Sequence, residues 1–457
     1  MWFNCGMIVI QFTAIWNKRV KVSTKSIIIG LIEPIMNVKC VIFFFELNFV
    51  FMRGIPSSFL LLFSVLVFLV ELISYYGIRQ LINRNLKSKS TYFTIVYVII
   101  SIITTGLLFY SFANPEDIRQ AKNYNFFYLV ISVSFLNLFP KFIFSLVTLF
   151  TFPLRWLGGK RLYLVLLAGS FIICSGIFSL FTYGIFFGRY NVNVEKKDLY
   201  FNSWPEQLDG FKIVQLSDIH LGSFGKNTEM MEKTVRIIKQ LNPDLLLFTG
   251  DLVNNFSDEI KGFEPYLKQL KGRYGKYAIQ GNHDYGDYSS WPDSTSKKKN
   301  LHQILSSLTD AGFKLLLNNW DKISVKDTSF ALIGVENWGH PPFPQYAKLD
   351  IAMKGVPLNS FKILMSHDPA HWNSIVVPET DIPLTLSGHT HGGQFAIKIA
   401  GIEFSPIYFI QKNWGGLYQS YNQSLYVNRG LGTIGFQGRV EMRPEITVLT
   451  LYRTKNH

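Results

Sequence analysis

Four long apolar segments between residues 57 and 188 constrain the fold of this chain more than any other feature of its sequence. A helix of about 20 mainly apolar residues is long enough to cross the hydrocarbon region of a bilayer. The segments cover residues 57–78, 91–113, 125–148 and 162–188, and the second and fourth contain no charged residue. Helices in the core of a soluble protein do not need stretches of this length. The sequence therefore predicts an N-terminal bundle of four transmembrane helices, with the lipid bilayer as its partner.

Two charged side chains fall inside these apolar segments. Glu71 is costly at membrane depth unless it faces the bundle, so we expect it to make a helix–helix hydrogen bond or to lie near the interface. Lys141 follows Pro140 in the third segment. We expect its ammonium group to extend toward the inner membrane surface, as long basic side chains do near the ends of spans.

The short loops between the segments predict the orientation of the bundle. Short cytoplasmic loops are enriched in Lys and Arg. The loop after the first segment and the loop after the third are both basic and free of acids, with Arg79, Arg84, Lys87, Lys89, Arg155, Lys160 and Arg161. Both loops are therefore expected in the cytoplasm, and four spans then place the C-terminal domain outside it. We expect an integral protein of a bacterial cytoplasmic membrane.

The first 51 residues mix short apolar runs with charged residues, and none of these runs is long enough to span a membrane. Met52 followed by Arg53 and an apolar stretch is typical of the start of a membrane protein. We hypothesise that translation starts at Met52 and that residues 1–51 are a gene-model extension. The remaining chain then divides into a membrane region at residues 52–189 and a domain at residues 190–457.

Five short apolar runs in the C-terminal domain each end in side chains that bind metals or protons. Runs of this length between turn residues indicate buried strands. Open α/β sheets carry their sites at the carboxyl ends of strands, where the core holds each ligand in place. Imidazole is also the commonest metal ligand among side chains. The blocks are Asp218-Ile219-His220, Gly250-Asp251, Gly281-Asn282-His283-Asp284, His367-Asp368 and Gly388-His389-Thr390-His391-Gly392-Gly393-Gln394.

The order of these blocks resembles the calcineurin-like metallophosphoesterase superfamily over residues 196–452, and G-H-T-H-G-G-Q is shared with its membrane-anchored bacterial members. The resemblance implies an α/β domain in which two packed mixed β-sheets are flanked by helices, an α/β/β/α sandwich. It also implies two divalent metal ions that share Asp251. One ion would take Asp218, His220 and His391, and the other would take Asn282, His367 and His389. Nitrogen and oxygen ligands suit Mn, Fe or Zn, and the sequence does not choose among them.

The same resemblance implies hydrolysis of a phosphoester or pyrophosphate bond by a metal-bound hydroxide. The substrate is expected to be a phosphorylated small molecule or a lipid-linked compound. No nucleic acid is expected, because the net charge of +14 is not accompanied by a nucleic-acid motif and is better explained by membrane apposition. The alternative function is a non-catalytic membrane protein whose phosphoesterase-like domain binds a phosphorylated ligand. Against that alternative, every ligand position that the family uses is present.

Three further residues are candidates for roles around the reacting phosphate. His283 is expected to protonate the leaving oxygen, as the histidine of this block does in the family. Asp284 either orients His283 or caps a helix. Arg429 follows an apolar run and precedes Gly430. It either clamps a substrate phosphate with both guanidinium nitrogens or anchors a turn.

Periodicity and breaker residues predict several elements of the C-terminal domain. Apolar spacing followed by Asn242-Pro243 predicts a helix over residues 227–240. A second helix is expected over residues 301–310, preceded by a polar loop that holds Lys297, Lys298 and Lys299. Strands are expected over residues 330–335 and 445–451.

Overall fold

Four apolar helices precede an α/β domain in the computed structural model, which describes residues 57–82, 90–113, 124–339, 344–399 and 402–454. The membrane helices are α1 (Ser57–Ile82), α2 (Ser90–Ala113), α3 (Tyr124–Thr151) and α4 (Lys160–Phe186). All four are long and apolar enough to cross a membrane. The expected extension at residues 1–51 and the expected start at Met52 lie outside the described residues.

The charged side chains of the bundle pair with each other in its interior. The Glu71 carboxylate accepts hydrogen bonds from Lys141 Nζ at 2.9 Å, Tyr97 at 2.8 Å, Ser101 at 2.6 Å and Asn137 at 3.1 Å. The expectation that Lys141 reaches the membrane surface is therefore wrong. Inside a bundle, where water is scarce, an opposite charge compensates an ammonium group more directly than a distant interface does.

The described part of the α/β domain contains two six-stranded mixed sheets and one antiparallel pair of short strands. The sheet orders are β1-β14-β2-β3-β4-β5 and β12-β13-β9-β8-β7-β6, and β10 pairs with β11. The strands are β1 (Asn193–Phe201), β2 (Phe211–Leu216), β3 (Leu245–Phe248), β4 (Lys276–Ala278), β5 (Lys314–Leu315), β6 (Asn319–Val325), β7 (Thr328–Gly334), β8 (Lys362–Met365), β9 (Leu384–Ser387), β10 (Ile397–Ile399), β11 (Ile402–Phe404), β12 (Gly416–Ser420), β13 (Gln423–Val427) and β14 (Glu445–Arg453). The helices are α5 (Glu229–Leu241), α6 (Glu264–Gln269), α7 (Ser294–Asp310), α8 (Leu349–Ala352) and α9 (Val377–Glu379).

Three apolar clusters hold these layers together. The middle cluster lies between the two sheets, where side chains such as Ile213 and Leu247 meet Phe330 and Ile363. A second cluster joins the first sheet to α5, α6 and α7, and a third joins the second sheet to α8 and the segment around Trp372. The central strands β3, β8 and β9 are buried on both faces, which explains their mainly apolar sequences. The expected sandwich of two packed mixed sheets flanked by helices is confirmed.

The helix α7 begins earlier than its apolar spacing predicts. Asp293 caps it, since its carboxylate accepts a hydrogen bond from the backbone N–H of Ser296 at 2.8 Å. The three lysines at 297–299 therefore lie in the first turns of a helix. The expectation that they lie in a polar loop is wrong. The other expected elements correspond to α5, β7 and β14 within a few residues.

One end of the helical bundle packs directly against the α/β domain. The rings of Phe135 in α3 and Phe436 have centroids 5.0 Å apart, and those of Phe181 in α4 and Phe395 are 5.4 Å apart. At the opposite end, Arg155 donates to the Tyr76 hydroxyl at 2.5 Å and so links the ends of α3 and α1. Arg79 near the end of α1 and Arg155 after α3 therefore lie at the end of the bundle that points away from the domain.

Candidate metal centre

Five loops that follow strands meet at one edge of the sandwich. Strands β2, β3 and β4 are parallel neighbours in the first sheet, and β8 and β9 are parallel neighbours in the second. The carboxyl ends of parallel neighbours open at the same edge of their sheet. The edges of the two sheets lie side by side, because Gln215 of β2 donates to the Ser387 carbonyl of β9 at 2.9 Å.

The seven expected metal ligands come together in this pocket as two groups. The first group is Asp218, His220 and His391. His220 Nε2 lies 3.1 Å from His391 Nε2, which in turn lies 3.5 Å from Asp218 Oδ1. Two ring nitrogens and a carboxylate oxygen therefore point at one small volume.

The second group is Asp251, His367 and His389, joined by Asn282. The side-chain oxygen of Asn282 lies 3.1 Å from His367 Nε2 and 2.8 Å from His389 Nδ1. Oδ2 of Asp251 lies 3.1 Å from His367 Nε2 and 3.6 Å from His220 Nε2, a member of the first group. Asp251 thus contacts both groups.

Five of these residues have left-handed backbone conformations. Their φ angles are 48° at Asp218, 43° at His220, 60° at Asp251, 73° at His389 and 52° at His391. Such a conformation costs a residue with a side chain on the order of 1–3 kcal/mol and persists only where the surroundings enforce it. The concentration of this strain in one pocket is typical of a functional site.

Hydrogen bonds to the two carboxylates hold these strained loops. The backbone N–H of His389 lies 3.0 Å from both oxygens of Asp218, and the backbone N–H of His283 donates to Asp251 Oδ1 at 2.9 Å. Gly388 is required because a Cβ there would overlap Ser217 and the Asp218 carboxylate. Glycine at position 388 therefore allows the loop after β9, in the second sheet, to lie against Asp218.

Further contacts orient the ligand side chains. His367 Nδ1 lies 2.7 Å from the Thr249 carbonyl, so Nδ1 carries a proton and Nε2 faces Asp251 and Asn282. The Asn282 amide nitrogen donates to the Tyr288 hydroxyl at 2.7 Å, which directs the amide oxygen toward the histidines. Tyr288 was not identified from the sequence, since it belongs to no strand-end block.

Burial opposes the charged form of each ionisable group in the pocket, and neighbouring charges reverse the resulting pKa shift for Asp251 and His367. Burial raises the pKa of Asp218 to about 6 and lowers the pKa of His220 to about 3. Burial opposes ionisation of Asp251 as well, but the neighbouring histidines, His367 first, hold its pKa well below the usual range. Burial also opposes the charged form of His367, yet ionised Asp251 raises the pKa of that imidazole to about 10. The pocket therefore stabilises positive charge beside Asp251.

His283 lies beside the ligands with its ring fixed from two sides. Its Nδ1 lies 2.8 Å from the Asn254 carbonyl, and its ring stacks on Tyr288 with centroids 4.4 Å apart. Burial lowers the pKa of His283.

The Asp284 carboxylate binds backbone amides. It accepts hydrogen bonds at 2.9 Å from the N–H groups of Asp251, Leu252 and Gly281 and at 3.4 Å from that of Val253. The contact that orients His283 comes from a carbonyl, and the short helix at His283–Tyr285 is preceded by Asn282 and not by Asp284. Neither role that the sequence left open for Asp284 matches these contacts.

The two guanidinium nitrogens of Arg429 that a phosphate clamp would need are bound to carboxylates. Nη1 lies 2.8 Å from Glu445 and Nη2 lies 3.1 Å from Glu403. These contacts match the turn-anchoring alternative for Arg429. A different arginine approaches the metal groups: Nη2 of buried Arg439 lies 3.2 Å from His391 Nδ1. No sequence signal distinguished Arg439, which follows no strand.

The residues of the pocket fit a pair of divalent cations. Asp218 and Asp251 are 0% and 1% exposed. Buried carboxylates need positive charge nearby. Each group offers imidazole nitrogens and carboxylate oxygens within 4.8 Å of one another, which is a donor set for Mn, Fe or Zn.

Comparisons with known proteins agree with this geometry. The family model described as calcineurin-like phosphoesterase matches residues 211–393. The chain is 34% identical over 258 residues to the Bacillus subtilis metallophosphoesterase YkuE, an alignment that covers 55% of this chain and 82% of YkuE. It is 29% identical to the Escherichia coli phosphodiesterase YaeI, covering 53% of this chain and 82% of that protein. A zebrafish (Danio rerio) transmembrane protein with a metallophosphoesterase domain is 30% identical, over 54% of each chain. The chain therefore belongs to the calcineurin-like metallophosphoesterase family, which uses divalent metals to act on phosphoesters.

Proposed function

We propose that this protein is a membrane-anchored phosphoesterase with a dinuclear metal centre, hydrolysing a phosphoester or pyrophosphate bond. The observation that carries the proposal is the convergence of seven ligand side chains in two groups, with Asp251 in contact with both. A carboxylate in that position has the geometry of a bridging ligand.

Asp218, His220 and His391 would hold one ion, Asn282, His367 and His389 would hold the other, and Asp251 would be shared. A pair of such ions neutralises a phosphoryl group and makes a bound water more acidic. The protein's own contribution is rigidity, because the strained loops and their hydrogen bonds fix each donor before substrate arrives.

His283 would donate a proton to the leaving oxygen. The Asn254 carbonyl accepts from Nδ1 and stabilises the protonated imidazole, so that Nε2–H is the group presented to substrate. Asp284 would act as a positioning residue, because its carboxylate ties the backbone of Asp251 to that of Gly281. Arg429 is assigned a structural role in the turn that follows β13.

We propose that residues 52–189 form the membrane region, that residues 190–457 form the catalytic domain, and that this domain lies outside the cytoplasm of a bacterial cell. Arg79 near the end of α1 and the basic residues Arg155, Lys160 and Arg161 between α3 and α4 support this orientation, since they lie at the end of the bundle away from the domain. A substrate near the bilayer surface, such as a lipid-linked phosphoester, is favoured by the direct packing of the domain on the bundle. A soluble phosphorylated small molecule is the other source of the same chemistry.

The experiment that tests this function uses the full chain, purified in detergent and loaded with Mn²⁺. Turnover of bis(p-nitrophenyl) phosphate and p-nitrophenyl phosphate is measured for the wild type, Asp251→Asn, His389→Ala and His302→Ala. His302 is an exposed histidine of α7 and provides the matched control. We expect both pocket variants to lose at least about 100-fold in turnover and the control to retain it.

Unchanged turnover in Asp251→Asn would overturn the proposed site. If the metal-loaded protein binds phosphate esters but hydrolyses none of them, the non-catalytic alternative is supported instead. A panel of lipid-linked pyrophosphates, phospholipids and soluble diesters then distinguishes the two classes of substrate.

A further inference from the structure

The third membrane helix reaches the loop that holds His283. Tyr128, in the second turn of α3, is only 2% exposed although it belongs to a membrane-spanning helix. Its hydroxyl donates to the side-chain oxygen of Asn254 at 2.9 Å. Asn254 is 126 residues away in sequence and follows strand β3 in the α/β domain.

The orientation of the Asn254 amide is fixed by its second partner. The amide nitrogen donates to Glu259 Oε2 at 3.0 Å, and the Asn254 backbone N–H donates to the same oxygen at 2.6 Å. A carboxylate accepts hydrogen bonds and does not donate them. The amide oxygen must therefore face the other way, toward the Tyr128 hydroxyl.

The backbone of Asn254 is also what orients His283. Its carbonyl lies 2.8 Å from His283 Nδ1. One residue thus receives a hydrogen bond from the membrane helix on its side chain and a hydrogen bond from His283 on its backbone. A shift of this residue would rotate the imidazole.

Packing reinforces the same connection from the other side of His283. Tyr128 and Phe256 form a buried cluster, against which Phe127 and Trp291 pack. The ring of Trp291 lies 5.5 Å from that of Phe256, and its Nε1–H donates to the Gly286 carbonyl at 2.7 Å. Gly286 ends the short helix that contains His283. Tyr128 therefore shares one cluster with Phe256, which follows Asn254, and with Trp291, which bonds Gly286 just after His283.

We propose that Tyr128 is a positioning residue, through which the membrane bundle aligns His283 with the leaving oxygen of the substrate. This inference rests on the proposed role of His283 as proton donor. It assigns the bundle a part in catalysis besides anchoring. Tyr128 touches no reacting atom and acts through Asn254.

The role of a proton donor predicts a signature that a purely structural residue would not give. Protonation accelerates departure of a basic leaving group such as phenolate and matters little for an acidic one such as p-nitrophenolate. Misalignment of His283 should therefore slow phenyl esters more than p-nitrophenyl esters. Substrate affinity should change little, because the phosphoryl group is held elsewhere.

The test uses the full chain in phospholipid nanodiscs with Mn²⁺ and two diesters, one with phenyl and one with p-nitrophenyl leaving groups. For Tyr128→Phe we expect kcat on the phenyl ester to fall about fivefold, on the order of one lost buried hydrogen bond. On the p-nitrophenyl ester kcat should fall less than about twofold, with KM unchanged on both. Tyr97→Phe is the matched control, because it removes a tyrosine hydroxyl that bonds Glu71 within the bundle. It should show no dependence on the leaving group.

His283→Asn and the double variant separate the two levels of the proposal. His283→Asn should be selective in the same direction, and adding Tyr128→Phe to it should change nothing further. Selective loss in His283→Asn together with an unselective or silent Tyr128→Phe would overturn the positioning role and leave the proton donor intact. An unselective His283→Asn would overturn the proton donor and the inference with it. Tyr128→Leu, which also removes the ring, should give the same selectivity with a lower Tm.

Discussion

Replacement of Asp284 by asparagine should loosen the metal centre without touching a metal ligand. The carboxylate accepts four backbone N–H groups, two on each oxygen, from Asp251, Leu252, Val253 and Gly281. Asparagine keeps one oxygen and brings an NH₂ group against the other pair of donors. Two buried N–H groups thereby lose their acceptor.

The expected cost follows from that count. Each buried donor left without a partner costs about 1–3 kcal/mol, which gives roughly 2–6 kcal/mol for the two. In a domain of this size, 1 kcal/mol corresponds to a change in Tm of about 2–4 °C. For a loss near 3 kcal/mol we therefore expect Asp284→Asn to melt about 6–12 °C below the wild type. The metal content should also fall, because the backbone of Asp251 loses one of its anchors.

The measurement is a thermal melt of the full chain in detergent, paired with metal analysis of the same sample. Asp258→Asn is the matched control, since Asp258 forms an exposed ion pair with Lys261 and its loss should change Tm little. A wild-type Tm and wild-type metal content in Asp284→Asn would refute the assignment of Asp284 as the residue that holds the Asp251 loop.

Three further outcomes are expected. Arg429→Ala should lower Tm clearly and leave KM for a diester within about twofold, because both terminal guanidinium nitrogens pair with carboxylates, those of Glu403 and buried Glu445. A large rise in KM at unchanged Tm would restore the phosphate clamp. Gly388→Ala should reduce the amount of bound metal measured by elemental analysis, because the added Cβ would overlap the Asp218 carboxylate. Full metal occupancy in this variant would contradict that geometry. Removal of the metal by a chelator should abolish turnover, and adding Mn²⁺ should restore it. It should also lower the free energy of unfolding by about 2.7 kcal/mol compared with protein in metal at 100 times its Kd. Activity that survives complete chelation, checked by elemental analysis, would exclude a metal-dependent reaction.

The contacts between the bundle and the domain favour assays on the full chain over assays on a soluble fragment. Phe395 and Phe436 pack on Phe181 and Phe135 of the membrane helices, and Tyr128 bonds Asn254. A fragment that begins at residue 190 would expose these rings and lose that hydrogen bond. Assays on the full chain therefore keep these contacts between the bundle and the domain intact.

Much of the architecture could be predicted from the sequence because it is encoded locally. The length of an apolar run decides whether a helix can span a bilayer, and the four runs needed no tertiary information. Strand-terminal polar blocks such as Gly281-Asn282-His283 are equally local, since a buried run and the turn residue that ends it are neighbours in the chain. The sandwich itself followed from the family that these blocks resemble.

The partners of individual charged and polar side chains were decided only in three dimensions. Lys141 lies 70 residues from Glu71, and Tyr128 lies 126 residues from Asn254. Arg429 was a reasonable phosphate ligand by position, but the fold places a carboxylate on each of its two terminal nitrogens. Hydrogen bonds and ion pairs act over a few ångströms, and a sequence pattern does not contain those distances. The chain thus specifies by itself which residues stand at strand ends, while the folded structure determines which of them act together.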